Sequence, residues 1–316
     1  MLRQGWRVRA AVRSSISSLD GMEVAVIDGI DGDTDWTNAL RGVDVVIHLA
    51  ARVHVMKDDV ADPLASFLKV NLHGTENLAQ QAAHAGTKRF VYVSSIKVNG
   101  EETRNQHSYT AQDFPAPQSP YGISKWQAEQ ALWRIAKESG LQVVTIRPPL
   151  VYGPGVKGNF YSLLAALEKG VPLPLAGARN IRSLVYVGNL VSVLIACTTH
   201  PAASGQTYLV CDGENMSTAS LVKKLSAALG RSNRLFYFPE TLLRFAAAAV
   251  GRADQIDKLF GVLRVNDAKL RNDLGWTPPY TLEQGLSATA AWYHQNVKQY
   301  ILAAKDLPTE THDRQK

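Results

Sequence analysis

Tyr121 and Lys125 stand four residues apart in Ser119-Pro120-Tyr121-Gly122-Ile123-Ser124-Lys125. Serine is a strong helix N-cap and proline suits the first helical position, so this stretch predicts a helix over 120–139. Residues i and i+4 share a helix face, so Tyr121 and Lys125 point the same way. A phenol titrates at about 10 and is a poor base at neutral pH. An ammonium one turn away stabilises the phenolate and lowers that value. The pair can then take a proton from a hydroxyl or return one to a ketone. Upstream, Ser94-Ser95 close a strand pattern over 89–93, and Ser95 can hydrogen-bond the same oxygen. Tyrosine and lysine at this spacing are common by chance, and the surroundings decide. The preceding strand ends in Ser-Ser, and the following one, 142–146, runs into Arg147-Pro148-Pro149. Ser95, Tyr121 and Lys125 form the candidate catalytic set.

The elements that must position these residues alternate. Residues 6–12 and 22–27 read as strands. Residues 43–50 (VDVVIHLA) are an apolar run after Gly42, the mark of a strand covered on both faces. Residues 63–86 carry apolar side chains at helical spacing, and Gly86 ends them. Strands alternating with helices predict an α/β fold with a doubly wound parallel sheet. After Pro149 the pattern loosens. Gly153, Pro154, Gly155 and Gly158 lead into a smaller, helix-rich region with helices expected over 160–169, 217–229, 240–250 and 281–299. The expected division is 1–152 for dinucleotide binding and 153–316 mainly for substrate, with 181–211 returning to the main sheet. The tail after Leu307 is polar and reads as frayed.

Bulk composition narrows the function. The chain has 316 residues and is 46% hydrophobic, enough for a large core. Two cysteines, Cys197 and Cys211, lack metal-ligand spacing, so no metal site is expected and a reducing, cytoplasmic setting suits them. No apolar window is long enough for a membrane span. Net charge is +6, but no Lys/Arg run exceeds two residues. A pocket for a diphosphate-bearing small molecule explains that excess better than nucleic acid does.

Six segments, in order, resemble the extended short-chain dehydrogenases, the NAD-dependent epimerase/dehydratase group that includes UDP-glucose 4-epimerase and bacterial UDP-sugar 4-ketoreductases. His48-Leu49-Ala50-Ala51 resembles HxAA, and Asn71-Leu-His-Gly74-Thr75 resembles NxxGT. Residues 93–100 are similar to the SSxxVYG segment, with Asn99 in place of tyrosine. Residues 147–154 are similar to RxxNVYGP, with Leu150 in place of asparagine. Arg182 to Leu190 is similar to RDFVYVDDL, and Leu274-Gly275-Trp276-Thr277-Pro278 to LGWxP. The resemblance implies a Rossmann-like fold and an enzyme using NAD or NADP. It implies Ser95, Tyr121 and Lys125 in catalysis, and Leu49, Ala50, Ala51, Pro148 and Lys125 along the cofactor. Asp28 or Ile30 would lie by the adenine. Asn159 and Arg182 would bind a substrate diphosphate, although Asn159 could instead cap a helix at Phe160. Arg13 ends a strand where an NAD enzyme often carries an acid, which favours the 2′-phosphate of NADP. His48 reads as a satisfied core histidine, Asn71 as a backbone tie and Trp276 as packing.

The expected reaction is hydride transfer at C4 of a UDP-linked hexose, by 4-epimerisation or reduction of a 4-keto sugar, in bacterial surface-polysaccharide synthesis. Dehydration is disfavoured, because Ile96 and Lys97 stand where dehydratases of the family carry Asp-Glu. Alternatives are a steroid- or flavonol-type ketone reductase and a non-catalytic cofactor-binding remnant. A homodimer through the helices at 63–86 and 120–139 is also implied. No GxGxxG or GxxGxxG occurs, and Met1 to Gly5 reads as the tail of a helix. The expectation is therefore of a first strand, glycine-rich loop and most of a helix lying upstream, with weak dinucleotide binding in their absence.

Overall fold

The computed structural model describes residues 1–14, 21–53, 62–104, 107–249 and 260–305. The tail after Leu307 lies outside them.

A four-stranded parallel sheet runs in the order β3 (Val45–His48), β4 (Arg89–Val93), β5 (Gln142–Arg147), β9 (Gln206–Leu209). A separate parallel pair joins β1 (Arg9–Val12) to β2 (Glu23–Val26). Among the described residues neither β1 nor β3 has a second ladder partner. Burial follows from this. Strands β4 and β5 are buried almost throughout, whereas Val45, Val46 and Ile47 of β3 are half-buried. The strand expected to be covered on both faces is therefore covered only in part.

Helix α4 (Pro120–Ser139) forms as its local chemistry dictates. Ser119 accepts a hydrogen bond from the amide of Gly122, Pro120 fills the first position, and Gly140 ends the helix at φ 77°. The expected single helix over 63–86 is three pieces. Helix α2 (Pro63–Leu68) passes into a π turn (Lys69–Gly74) and then α3 (Thr75–His84). Apolar spacing does not mark such a turn, because one wider turn preserves the general facing of the apolar residues.

The π turn joins two strand ends. Asn71 receives the Arg52 amide on its Oδ1 at 2.8 Å. Its Nδ2 donates to the Arg52 carbonyl and to Ser124 Oγ, both at 3.0 Å. Asn71 thus ties the exit of β3 to α4, one residue before Lys125. Gly74 lies against the exit of β2, where an added Cβ would stand 2.8 Å from Ile30 Cγ2. Asn77 then donates to the carbonyls of Asp31 and Thr34. The carboxyl ends of β2 and β3 are therefore held along one helical segment.

The later region packs on β6 (Leu150–Tyr152), α5 (Gly158–Glu168), β7 (Ile181–Arg182), β8 (Leu184–Tyr186), α6 (Val187–Thr199), β10 (Met216–Ser217), α7 (Thr218–Ala228) and α8 (Glu240–Ala249). Two further helices, Ala268–Leu274 and Leu282–Lys305, follow. Tyr152, Phe160, Leu164, Leu225 and Leu286 belong to one apolar cluster there. Asp212 anchors the cluster to the sheet. It accepts from the Tyr152 hydroxyl at 2.9 Å, from the Tyr186 amide and from Asn189. Trp276 is buried, with its indole N–H on Ser192 Oγ at 2.9 Å, as a packing residue should be. No helix among the described residues is long and apolar enough to cross a membrane.

Asn71→Ala strands the two backbone groups of Arg52 and one bond of Ser124. The expected cost is about 2–4 kcal/mol, read as a lower urea midpoint at unchanged slope.

Candidate active site

Ser95 follows β4 and caps a single turn, Ile96–Val98, accepting from the Lys97 amide at 3.3 Å. This holds its hydroxyl at the carboxyl edge of the sheet, within hydrogen-bonding reach of Tyr121. Tyr121 occupies the first turn of α4, its ring edge-on to Phe67 with centroids 6.0 Å apart. Burial raises the Tyr121 pKa, and Ser95 pulls it back in part. Lys125 is buried one turn further on, with Nζ 4.1 Å from the centre of the Tyr92 ring. Burial pulls its pKa down to about 7, against the opposing charge of Glu129.

In this structure Ser95 is the group that offsets the rise at Tyr121, and Lys125 Nζ lies over the Tyr92 ring. Burial disfavours phenolate and ammonium alike.

His48 is buried, 3.0 Å from Thr75 Oγ1 and stacked on Tyr92. Burial and then the charge of Lys125 lower its pKa to about 3, so it stays neutral and outside the proton chemistry. Lys97, in a position where dehydratases of the resembling group carry an acid, pairs with Glu101 at 2.9 Å.

Sequence reasoning missed the network behind the triad. Glu129 has no exposure. Its Oε1 accepts from Ser94 Oγ at 2.5 Å and from Arg147 Nε at 3.0 Å. Its Oε2 accepts from Arg147 Nη2 at 2.5 Å. Arg147 Nη1 continues to Asn99 Oδ1 at 3.0 Å, and Asn99 Nδ2 to the Thr110 carbonyl at 3.1 Å. Asn99, noted as a departure from tyrosine, is thus a buried link between β5 and the loop at Thr110. One signal was available: Tyr121, Lys125 and Glu129 recur at i, i+4 and i+8.

The cofactor candidates follow strand ends. Arg13, after β1, and Asp28, after β2, are exposed, and Ile30 is half-buried against Gly74. Leu49 and Ala50 follow β3. Leu49 is 63% exposed, an open apolar surface directly beyond a strand. Ala51 is half-buried and Pro148, after β5, is buried. Leu49, Ser95 and Pro148 share the carboxyl edge of the four-stranded sheet.

The substrate candidates sit on separate elements. Asn159 is exposed in the first turn of α5. It does not cap a helix at Phe160, because the helix begins at Gly158 with Lys157 as its N-cap residue. The left-handed Gly158, at φ 63°, lets the chain turn two residues earlier than expected. Arg182 lies half-buried in β7 and donates to the Gly261 carbonyl at 3.4 Å. Burial lowers its pKa, against the charges of Glu102 and Glu101. Leu150, at the start of β6, is 48% exposed.

Comparison with known proteins agrees with this architecture. The NAD dependent epimerase/dehydratase family matches residues 1–211. A UDP-glucose 4-epimerase of Vibrio cholerae is 42% identical over 295 residues, covering 93% of this chain and 90% of that one. An N-acetyl-alpha-D-glucosaminyl-diphospho-ditrans,octacis-undecaprenol 4-epimerase of Escherichia coli O157:H7 is 28% identical, covering 90% and 86%. Among solved structures, the UDP-glucose 4-epimerase of Thermotoga maritima with UDP-glucose shares the fold at a TM-score of 0.71 and 20% identity, covering 94% of this chain and 93% of that one. A UDP-glucuronic acid 4-epimerase of Bacillus cereus with NAD does so at 0.70 and 21%, covering 88% and 82%. With its parallel sheet, these matches over most of its length and a Ser-Tyr-Lys set at the strand ends, the chain belongs to the NAD dependent epimerase/dehydratase family, as an enzyme of the extended short-chain dehydrogenase type with a Rossmann-like fold.

Proposed function

We propose that this enzyme moves a hydride at C4 of a UDP-linked hexose and releases the 4-epimer. The observation that carries the reading is Ser95 within hydrogen-bonding reach of Tyr121 where β4 ends and α4 begins, with Lys125 buried one turn further along α4. The Vibrio cholerae relative, a UDP-glucose 4-epimerase, supports the substrate class.

The residues present fit a nicotinamide dinucleotide laid along the carboxyl edge of the sheet. Exposed Leu49 and Ala50 offer an apolar shelf on one side, and Pro148 closes the other beside the catalytic set. Held there, a nicotinamide would supply the acceptor, and then the donor, of the C4 hydride. Tyr121 accepts the proton of the 4-hydroxyl as the ketone forms and gives it back as the hydride returns. Ser95 donates a hydrogen bond to the same oxygen and holds it at the reacting centre. Lys125 has two tasks, stabilising the phenolate and reaching the nicotinamide ribose. Moving its ammonium from the Tyr92 face toward Tyr121 serves both. Arg182 meets the substrate diphosphate with charge-assisted hydrogen bonds, and Asn159 approaches the same phosphates from α5. Arg13 offers an exposed charge to a 2′-phosphate, which favours NADP.

The undecaprenol-linked relative supports a place in surface-polysaccharide synthesis. Exposed, apolar Leu150 in place of asparagine sets the sugar contacts apart from those of a galactose epimerase. A second reading, reduction of a 4-keto sugar, uses the same residues. A GDP-6-deoxy-D-mannose reductase of Pseudomonas aeruginosa, 28% identical, keeps it in view. The two differ in stoichiometry. Epimerisation leaves the cofactor unchanged after each turnover, and reduction consumes one NAD(P)H per product. Incubating the protein with UDP-glucose or UDP-N-acetylglucosamine and NAD, then following C4 by proton NMR, tests the proposal. Appearance of the 4-epimer at constant cofactor absorbance is expected, and no epimer from either sugar would overturn it.

Tyr121→Phe should lower kcat by about 10²–10⁴-fold while leaving cofactor affinity and melting temperature near those of the parent. Lys125→Met should depress both kcat and cofactor affinity, because it removes a group with two tasks. Arg182→Ala should raise KM for the UDP-sugar by about 10–100-fold, with a smaller effect on cofactor binding by calorimetry. In the same calorimeter, Arg13→Ala should weaken NADP binding more than NAD binding.

A further inference from the structure

We infer that Glu129 is a positioning residue for the proton relay, fixing a carboxylate one turn from Lys125 while bracing Ser94 and Arg147. The inference rests on the catalytic reading of Tyr121 and Lys125 given above.

Tyr121, Lys125 and Glu129 lie at successive turns of α4, so Glu129 shares a helix face with Lys125 one turn further along. Both side chains are buried, at 0% exposure for Glu129 and 1% for Lys125. A buried carboxylate needs partners, and Glu129 has three donors in Ser94 Oγ, Arg147 Nε and Arg147 Nη2. Fixed in this way, its charge acts on Lys125 through a medium that screens poorly.

Among the described residues, the charged and titratable groups around Lys125 are few. Tyr121 and Glu129 share its helix. Tyr92, from β4, lies under its Nζ, with Nζ 4.1 Å from the ring centre. His48, from β3, is neutral, and its own pKa is pushed down in part by Lys125. Arg147, from β5, reaches the site through its pair with Glu129. Burial favours the neutral amine, and Glu129 opposes it. Without that carboxylate Lys125 would lose its proton at a lower pH, and the phenolate of Tyr121 would lose its stabilising charge. The sign is therefore definite. The alkaline limb of kcat, which requires charged Lys125, moves to lower pH when Glu129 is neutralised.

The same carboxylate has a mechanical task. Ser94 precedes Ser95, and Arg147 precedes Pro148. Glu129 thus braces from behind the two strand ends that present a catalytic hydroxyl and a cofactor contact.

The test is the pH profile of kcat for UDP-sugar epimerisation in the 316-residue chain with saturating cofactor. Glu129→Gln removes the charge partner of Arg147, so Glu129→Gln/Arg147→Met is made beside it. Glu129→Asp keeps the charge. The alkaline limb should shift down by on the order of one pH unit in both neutral variants, with kcat lowered about tenfold above the limb. Glu129→Asp should restore most of the shift, and KM should stay within about threefold throughout. A loss equal at every pH, an unmoved limb, or failure of both neutral variants to fold would assign Glu129 to structure alone and overturn the inference. Tyr121→Phe in the same assay separates the two levels. If that variant keeps full activity, the catalytic reading itself falls. If it is inactive while the Glu129 variants show no shift, only the present inference falls.

Discussion

Desolvation is the constraint around which this site is organised. The proposed proton transfer needs a phenolate and an ammonium together, and burial opposes both. It raises the pKa of Tyr121 and lowers that of Lys125. Left to burial alone, both groups would stay neutral and the pair could not act as a base. The fold answers with placed charges and dipoles. Ser95 acts on the phenol, Glu129 on the amine, and the π face of Tyr92 receives the ammonium in the free protein. The low dielectric that makes the charged forms costly also makes each of these contacts strong.

That arrangement needs supports of its own. Glu129 is paired in the core with Arg147, and Arg147 is held further by Asn99. Buried ion pairs of this sort contribute little net stability against an apolar alternative. Their value here lies in direction, since Ser94 and Arg147 stand next to Ser95 and Pro148. The catalytic hydroxyl and the expected cofactor wall are therefore aligned by one carboxylate on the helix that also carries Tyr121.

The π turn plays the matching part on the other side. It brings Asn71 to the exit of β3 and leaves Gly74 bare against Ile30 at the exit of β2. A side chain at Gly74 would meet Ile30 and push the segments apart. Two sheets without a common ladder among the described residues are thereby held with their carboxyl ends toward the same helical segment.

Much of this was legible in the residues themselves, because the governing chemistry is local. Ser119, Pro120 and Gly140 bound α4 by capping preferences that need no distant partner, so its limits follow from the sequence alone. Turn periodicity likewise puts Tyr121 and Lys125 on one face, and alternating strands and helices imply a parallel sheet. The π turn was not legible, since its contacts are with Arg52 and Ser124, which lie 19 and 53 residues from Asn71, and with Ile30 against Gly74. Nor was the role of Glu129. An acid at i+8 from a tyrosine is unremarkable until β4 and β5 place Ser94 and Arg147 over it. Spacing could put Lys125 near Tyr121, but only the packed core decided that its ammonium rests on Tyr92 and that its charge is contested. Direction along a helix is a property of neighbouring residues; the balance between burial and charge is set by everything that the fold brings within a few ångströms.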